Sequence, residues 1–145
     1  MENKHLKYLR SCVGLMGKEQ ALSPVGKWIN GSLIMVEEGH LKFSFIVDES
    51  WLNPSGTFHG GMAALLIDEV IGITVYSLGN ENFYTTVNLN IDYLSFALKG
   101  DEIIVESKVV RKGIGIMNVE AAIYKRNKLL VKASSNMVNT GKKTF

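Results

Sequence analysis

Residues 59–76 read HGGMAALLIDEVIGITVY, and this stretch decides the fold. From Met62 to Ile67 every residue is apolar, so a helix formed here would be buried on all sides. Asp68 follows, and an unpaired charge in a buried helix is strongly unfavourable, so its carboxylate must be paired, protonated or at a cleft. Its neighbours on a helical period are mostly small, which leaves room beside the carboxylate: Gly61, Ala64 and Gly72, with Leu65 and Val75. We expect a site here.

The sequence after this helix alternates between apolar and polar residues, which is typical of strands buried on one face. Four such segments cover residues 84–96, 102–110, 114–125 and 129–138, with turns at 111–113 and 126–127. In the first segment the alternation predicts Val87 on one face with Leu89, Ile91 and Tyr93. It predicts Thr86 on the opposite face with Asn88, Asn90 and Asp92.

Two more strands are expected before the helix, in residues 32–37 and 41–47, because Glu38-Gly39 between them is a hairpin signal. Residues 48–57, punctuated by Pro54 and Gly56, are expected to form a loop. These strands and the later segments predict an antiparallel sheet of five or six strands. Its apolar face needs a cover, and one hydrophobic helix can provide it.

The two ends of the chain carry weaker signals. Residues 1–26 place apolar side chains at helical spacing, with a break at Ser23-Pro24, and predict an N-terminal helical cover. Residues 141–145 are expected to be frayed. The length of 145 residues suits a single domain, so we expect residues 1–145 to form one unit.

Composition excludes several classes of function. The net charge of +2 provides no long-range basic field, which argues against nucleic acid as a partner. Cys12 is the single cysteine, so no internal disulfide is possible and no zinc-ligand spacing exists. No signal peptide and no apolar stretch of about 20 residues is present, so we expect a soluble cytoplasmic protein without a membrane partner.

One motif resembles the signature of a known family. The pattern Asn53-x-x-Gly56-x-x-His59-Gly60-Gly61, with Asp68 nine residues after the histidine, is similar to that of hotdog-fold acyl-CoA thioesterases. The likeness is strongest to the PaaI and thioesterase-superfamily-member-2 type. It extends over residues 31–139 in element order, and includes the strand Asn88-x-Asn90-x-x-Tyr93 and the turn at residues 109–113.

The resemblance implies an α+β hotdog fold, in which an antiparallel five- to six-stranded sheet wraps around one long central helix. It also implies a homodimer that pairs edge to edge into one continuous sheet, and further assembly into a homotetramer. The residues do not decide how a tetramer would be arranged. The substrate implied is an acyl-CoA, with an acyl-carrier-protein thioester as the alternative.

Thioester hydrolysis needs a nucleophile or an activated water, together with donors to the developing oxyanion. Gly60 and Gly61 at the helix start offer N–H groups with no side chain in the way. Asp68 is then the nucleophile or the general base, and the sequence leaves both roles open. Gly60 and Asp68 are eight residues apart, which is about 12 Å along a helix. They cannot both reach one carbonyl carbon, so the site requires two subunits.

Other roles are implied by the resemblance alone. Asn53 would orient substrate or water, Thr86 would hold the attacking water, and His59 would fix the loop and the Gly60 peptide. Arg111 and Lys112, with Gly113, would grip the phosphates of coenzyme A. No metal or organic cofactor is expected, because coenzyme A is part of the substrate.

Several alternatives remain open. Residues 53–61 could be an ordinary loop and helix cap, Asp68 a satisfied core carboxylate, and Arg111 and Lys112 solvated charges. A Ser–His hydrolase is disfavoured, since no serine or cysteine stands in an obvious triad with His59. Glu69 is better explained as structural or interfacial than as catalytic. A non-catalytic acyl-CoA-binding module and a hotdog hydratase or dehydratase are the competing functions. Candidates for the acyl-binding wall are Phe58, Met62, Leu65 and the N-terminal helix.

Overall fold

The computed structural model describes residue 1 and residues 3–144. A six-stranded antiparallel sheet curves around one long helix, as the sequence predicts. The helices are α1 (Lys4–Ser11), α2 (Gly17–Gln20), α3 (Pro24–Ile29) and α4 (Gly60–Tyr76). The strands are β1 (Ser32–Glu37), β2 (His40–Ile46), β3 (Asn82–Tyr93), β4 (Glu102–Lys112), β5 (Ile116–Lys125) and β6 (Lys128–Lys143), in the sheet order β1-β2-β4-β5-β6-β3.

Helix α4 is the centre of the core. Leu66, Ile67, Val70 and Ile71 are fully buried, and burial of such side chains contributes about 1.5–3 kcal/mol each. The helix packs on β2, β3, β4 and β5. It ends at Tyr76, after which Gly79 adopts a left-handed backbone with φ of 72°. Burial on nearly every side is the reason why this helix shows no polar stripe.

Strand β3 contains a bulge that corrects the predicted faces. Thr86 pairs with Met137 and Asn88 with Asn136, so Val87 is an extra residue without a partner. Met137 is buried towards the helix, and Thr86 opposite it therefore also faces the helix. The predicted placement of Thr86 with Asn88 was wrong, as was that of Val87 with the apolar face, because an inserted residue reverses the alternation.

The N-terminal cover consists of three short helices and extends to Ile29. The break expected at Ser23-Pro24 is present, since α2 ends at Gln20 and a separate helix begins at Pro24. These two residues begin α3, since the Ser23 Oγ accepts a hydrogen bond from the Gly26 N–H and Pro24 is the first helical residue. Helix α1 is held against the end of α4, where the His5 ring stacks on Tyr76 with centroids 4.1 Å apart.

The C-terminal segment is ordered rather than frayed. Strand β6 continues to Lys143, and the Thr144 N–H donates to the Glu81 carbonyl at 2.8 Å. The prediction also included Phe145, which lies outside the described residues. None of the described helices has both the length and the apolar character needed to cross a bilayer.

Candidate active site

A cleft of about 330 Å³ opens between α4, the start of β3 and the N-terminal helices. Asp68, Glu69 and Thr86 contribute to its polar lining, together with Gln20, Ser23, Asn80, Asn82, Thr85 and Thr144. Most of the remaining wall is apolar and includes Leu9, Ala21, Ile29, Phe43, Phe45, Ile73 and Met137. The carboxylate of Asp68 is exposed to this cleft, which is one of the three environments that the sequence allowed for it.

Asp68 and Thr86 are in direct contact. The Thr86 hydroxyl donates a hydrogen bond of 2.7 Å to Asp68 Oδ1. The contact exists because the bulge at Val87 turns Thr86 towards α4, and bulges commonly re-aim side chains next to active sites. A carboxylate held by a hydroxyl in this way can activate a water molecule as a base or attack a carbonyl carbon as a nucleophile.

The start of α4 forms the second part of the site. The peptide between Gly60 and Gly61 is held at both ends: its carbonyl accepts from the Tyr93 hydroxyl at 2.7 Å, and its N–H donates to His59 Nδ1 at 2.8 Å. The preceding N–H, that of Gly60, donates to no acceptor among the described residues. This group is therefore free to donate to a ligand.

Gly60 lies close to the ring of Tyr93. A Cβ at this position would lie 3.2 Å from the ring of Tyr93, closer than ordinary van der Waals contact. Tyr93 was quoted in the sequence motif but was not assigned to the site. The sequence did offer a signal for this role, because Tyr93 lies on the strand that follows the helix and its hydroxyl can reach the helix start.

His59 serves as the N-cap of α4 through Nδ1. Because Nδ1 accepts a hydrogen bond, the neutral ring carries its proton on Nε2. The bond is made to the Gly61 N–H, which belongs to the same peptide unit as the Gly60 carbonyl. The cap therefore helps to orient the first turn of the helix.

Asn53 organises the loop before α4. Its Oδ1 accepts from the Ser55 and Thr57 N–H groups at 3.0 and 3.1 Å, and its Nδ2 donates to Thr57 Oγ1 at 2.8 Å. Its backbone N–H also donates to the Thr57 carbonyl. The side chain is thus engaged within its own loop, which leaves one Nδ2 proton for a ligand.

Glu69 faces the N-terminal cover. Its Oε1 accepts a hydrogen bond of 2.6 Å from the Ser23 hydroxyl, 46 residues away in sequence. This contact agrees with the structural role expected for Glu69, whereas Ser23 was missed because only the folded chain places it here. Burial, with a contribution from the Cys12 thiol, raises the pKa of Tyr8 to about 12, and burial also raises the pKa of Tyr76. Both tyrosines line the cleft and stay uncharged at neutral pH.

Arg111 and Lys112 lie at the exposed end of β4 rather than in a turn. Neither side chain makes an ion pair within residues 3–144. Gly113 follows them in a tight turn, where a Cβ would lie 2.3 Å from the Ile116 carbonyl oxygen. The Tyr84 hydroxyl donates to the Ile114 carbonyl at 2.7 Å, and Tyr84 lines the cleft, so this turn is linked to the cleft.

The structure thus places the predicted residues in separate groups within one chain. Asp68 contacts Thr86. Gly60 and Gly61 lie with His59 at the start of α4, about two helical turns before Asp68. Phe58, Met62 and Leu65 are not part of the cleft wall, which the N-terminal helices do line. Phe58 instead packs in the core against Trp51, with ring centroids 6.3 Å apart.

Comparison with known proteins supports a family relationship. The model described as the thioesterase superfamily matches residues 55–132. Human acyl-coenzyme A thioesterase 13 is 28% identical over 82 residues, which make up 57% of this chain and 59% of that protein. The match therefore spans less than two thirds of the length of that curated relative.

Solved structures show the same architecture. A Streptococcus mutans protein bound to acetyl-CoA is 26% identical, with a TM-score of 0.74 over 79% of this chain and 92% of that chain. The E. coli PaaI protein from the phenylacetic acid degradation operon has a TM-score of 0.78 over 84% of this chain and 88% of that chain. At 19% identity it shows the fold alone. The hotdog fold and the PaaI-type resemblance expected from the sequence are confirmed.

Proposed function

The chain belongs to the thioesterase superfamily, and on that premise we propose that it hydrolyses an acyl-CoA thioester to a carboxylic acid and free coenzyme A. The observation that carries the proposal is the Thr86–Asp68 hydrogen bond inside an apolar cleft. A pocket that only bound an acyl group would not need a carboxylate here. The name of the human relative and the acetyl-CoA bound to the Streptococcus mutans protein support the same class of substrate.

Asp68 supplies the chemical step in one of two ways. As a general base, it takes a proton from water while the water oxygen bonds to the thioester carbon, and the C–S bond then breaks to release the thiolate, which is protonated. As a nucleophile, its carboxylate oxygen bonds to the thioester carbon while the C–S bond breaks and releases the coenzyme A thiolate, which is protonated. Water then hydrolyses the resulting acyl-aspartyl anhydride to the acid and the free carboxylate. Thr86 holds Asp68 Oδ1 in place in either route.

The Gly60 N–H stabilises the oxyanion that develops on the carbonyl oxygen. Its donor is unoccupied within the described residues, and the neighbouring peptide is fixed by Tyr93 and His59. Preorganised donors of this kind contribute about 2.7–4 kcal/mol each to transition-state stabilisation. Because Gly60 and Asp68 are about two helical turns apart on α4, the donor comes from a second subunit.

The second subunit pairs through β3, which is an edge strand of the sheet. Pairing at this edge would cover apolar side chains that β3 and the residues after it expose, which are Val87, Tyr93, Leu94 and Phe96. If two β3 strands pair antiparallel about a twofold axis near Asn90, a regular register would set Thr86 of one copy opposite the partner's Leu94. The extra residue at the Val87 bulge shifts this register by one, so Thr86 lies opposite the partner's Tyr93. Asp68 then faces the partner's Gly60 across the substrate.

Binding of the coenzyme portion is assigned to the turn after β4. Arg111 and Lys112 are exposed cations, and the adjoining Gly113 turn is linked through Tyr84 to the cleft. Their charges suit phosphate groups. Asn53, with one free Nδ2 proton, orients the substrate or the water. These steps use only protein groups and water, and no metal or organic cofactor.

Substitution of Asp68 tests the proposal. Asp68→Asn should lower kcat for acyl-CoA hydrolysis by about 100-fold or more with a modest change in KM, measured with a thiol-detecting reagent over aryl-, short- and long-chain acyl-CoAs. Glu102→Gln, an exposed carboxylate at the start of β4, is the matched control and should hydrolyse at the parent rate. Hydrolysis by Asp68→Asn at the parent rate would disprove the mechanism. If the wild-type protein binds acyl-CoA but does not hydrolyse it, the chain is a binding module instead. Hydration of an enoyl-CoA would favour a hydratase.

A further inference from the structure

Residues 17–31, which comprise α2, α3 and the residues that join them to β1, form a roof over the cleft. Eight of them line it, from both helices and the connections: Gly17, Gln20, Ala21, Leu22, Ser23, Gly26, Ile29 and Gly31. The opposite wall is α4, which contributes Asp68, Glu69 and Ile73. The roof is therefore in contact with the space next to the proposed catalytic carboxylate.

A side-chain hydrogen bond fastens the roof to α4. The Ser23 hydroxyl donates to Glu69 Oε1 at 2.6 Å, and the same Ser23 oxygen accepts from the Gly26 N–H at 2.8 Å. Serine thereby caps α3 and bonds Glu69 at once. Both residues are half-buried, so solvent screens the bond only in part.

The roof is closely packed around Gly17 and Gly26. A Cβ on Gly26 would lie 3.0 Å from Glu69 Oε1 and 2.8 Å from the Ala21 Cβ. A Cβ on Gly17 would lie 2.5 Å from the Gly26 carbonyl oxygen. Helices α2 and α3 are therefore in close contact with each other, and α3 lies against Glu69 of α4.

The enclosed space limits what can bind. Its volume of about 330 Å³ is at the lower end of the roughly 300–1,000 Å³ that ligand pockets occupy. Tyr8 and Tyr76 in the wall are uncharged at neutral pH, since the ordinary tyrosine pKa of 10.0 already lies well above it and burial raises both pKa values further. The cleft therefore suits an apolar acyl group of medium length or an arylacyl group.

We propose that the Ser23–Glu69 hydrogen bond is a latch that holds the roof over the acyl group and sets the acyl length that the site accepts. The inference rests on the proposed thioesterase function and adds a specificity device to it. Glu69 is a positioning residue here, because it acts through the roof and not on the thioester. Release of the latch lets the roof lift, so longer chains gain access.

The test separates the latch from general damage. Glu69→Ala removes the acceptor but leaves the Ser23 cap of α3 in place, while Glu69→Gln keeps an acceptor oxygen. We expect Glu69→Ala to raise the ratio of kcat/KM for palmitoyl-CoA over hexanoyl-CoA by about five-fold, the factor that one hydrogen bond of about 1 kcal/mol represents. The change should appear mainly in KM for the long substrate. Glu69→Gln should keep the wild-type ratio, and Ser23→Ala should shift it in the same direction as Glu69→Ala.

Ser11→Ala is the matched control, since Ser11 is an exposed serine of α1 that bonds only the Tyr8 carbonyl among the described residues. Its ratio should equal that of the wild type. Calorimetric binding of the non-hydrolysable S-hexyl- and S-hexadecyl-CoA thioethers measures the same length preference without turnover. The latch is refuted if Glu69→Ala and Ser23→Ala keep the wild-type ratio in both assays, or if Glu69→Gln abolishes hydrolysis of every substrate. If the wild-type protein hydrolyses none of the substrates, the proposed function is refuted instead. Binding of the two thioethers to the wild type and the variants then tests the latch without any hydrolysis.

Discussion

The hydroxyl of Thr86 on β3 donates a 2.7 Å hydrogen bond to Oδ1 of Asp68 on α4. The bond joins the edge strand of the sheet to the central helix at the mouth of the cleft. It fixes one carboxylate oxygen, while Oδ2 has no such partner among the described residues. One oxygen is thus anchored and the other is available for water or substrate.

Removal of this hydroxyl should impair the chemical step. We expect Thr86→Val, which keeps the shape of the side chain, to lower kcat by about 10- to 100-fold, since a hydrogen bond to a charged group contributes about 1.5–3 kcal/mol. KM should change little. Thr86→Ser retains the hydroxyl and should recover most of the activity. Steady-state kinetics with one good acyl-CoA substrate measures both.

The neighbouring Thr85 provides the control for that experiment. It also lines the cleft and is exposed, but its side chain makes no hydrogen bond with a described residue. Thr85→Val should therefore behave as the wild type. If Thr85→Val and Thr86→Val lose the same activity, the contact with Asp68 is not the cause.

Tyr93 should matter through the Gly60 peptide. Its hydroxyl bonds the Gly60 carbonyl at 2.7 Å, and Tyr93→Phe removes that bond while it keeps the ring against the glycine. We expect kcat to fall by about 3- to 30-fold with KM nearly constant, because a positioned oxyanion donor is loosened but not removed. Tyr124→Phe on the opposite face of the sheet is the control. Equal kinetics for Tyr93→Phe and the wild type would contradict this role.

The helix and the strands could be predicted from sequence because their signals are local. The apolar run from Met62 to Ile67 and the alternation along β4, β5 and β6 each lie within one segment. Asp68 was conspicuous for the same reason, as a charge inside an apolar run. The cap at His59 could likewise be expected from the adjoining glycines.

The rest depends on contacts that alternation does not encode. The bulge at Val87 moves Thr86 to the helix face, and nothing in the residue types of β3 marks where the extra residue falls. Ser23 and Glu69 are 46 positions apart, so only the packing of α3 on α4 brings them together. The frayed tail was mispredicted since polar residues of β6 still pair with β3 along the sheet edge.

Pairing through β3 predicts a specific cross-link. If the twofold axis passes near Asn90, the two Asn90 side chains face each other with Cβ atoms about 4.5–5.5 Å apart. Asn90→Cys should then form a disulfide-linked dimer under mild oxidation, visible on a non-reducing gel, since the single native thiol of Cys12 is buried. Asn127→Cys, at the exposed β5–β6 turn, should stay monomeric on the gel. Equal cross-linking of both variants, or a monomeric mass for the wild type in sedimentation, would rule out this dimer.

The attachment of α1 should weaken in acid. His5 is 4% exposed, its ring stacks on Tyr76, and its Nδ1 lies 3.2 Å from the Tyr76 carbonyl oxygen. Burial is the main reason why the pKa of His5 is lowered from its ordinary value of 6.5, and Lys4 adds to the effect. Below pH 6.5 the unfolded chain therefore binds this proton more readily than the folded chain, so the free energy of unfolding must fall as the pH drops, by at most about 1.4 kcal/mol per pH unit for one group.

Urea unfolding at pH 7.5 and 5.5 measures this loss. His5→Phe keeps a ring against Tyr76 but carries no titrating group, and it should lose less stability between the two pH values than the wild type does. His40 and His59 are present in both proteins, so their titration cancels in the comparison. An identical pH dependence for the two proteins would show that His5 is protonated equally in the folded and unfolded states, and that its burial against Tyr76 does not couple α1 to pH.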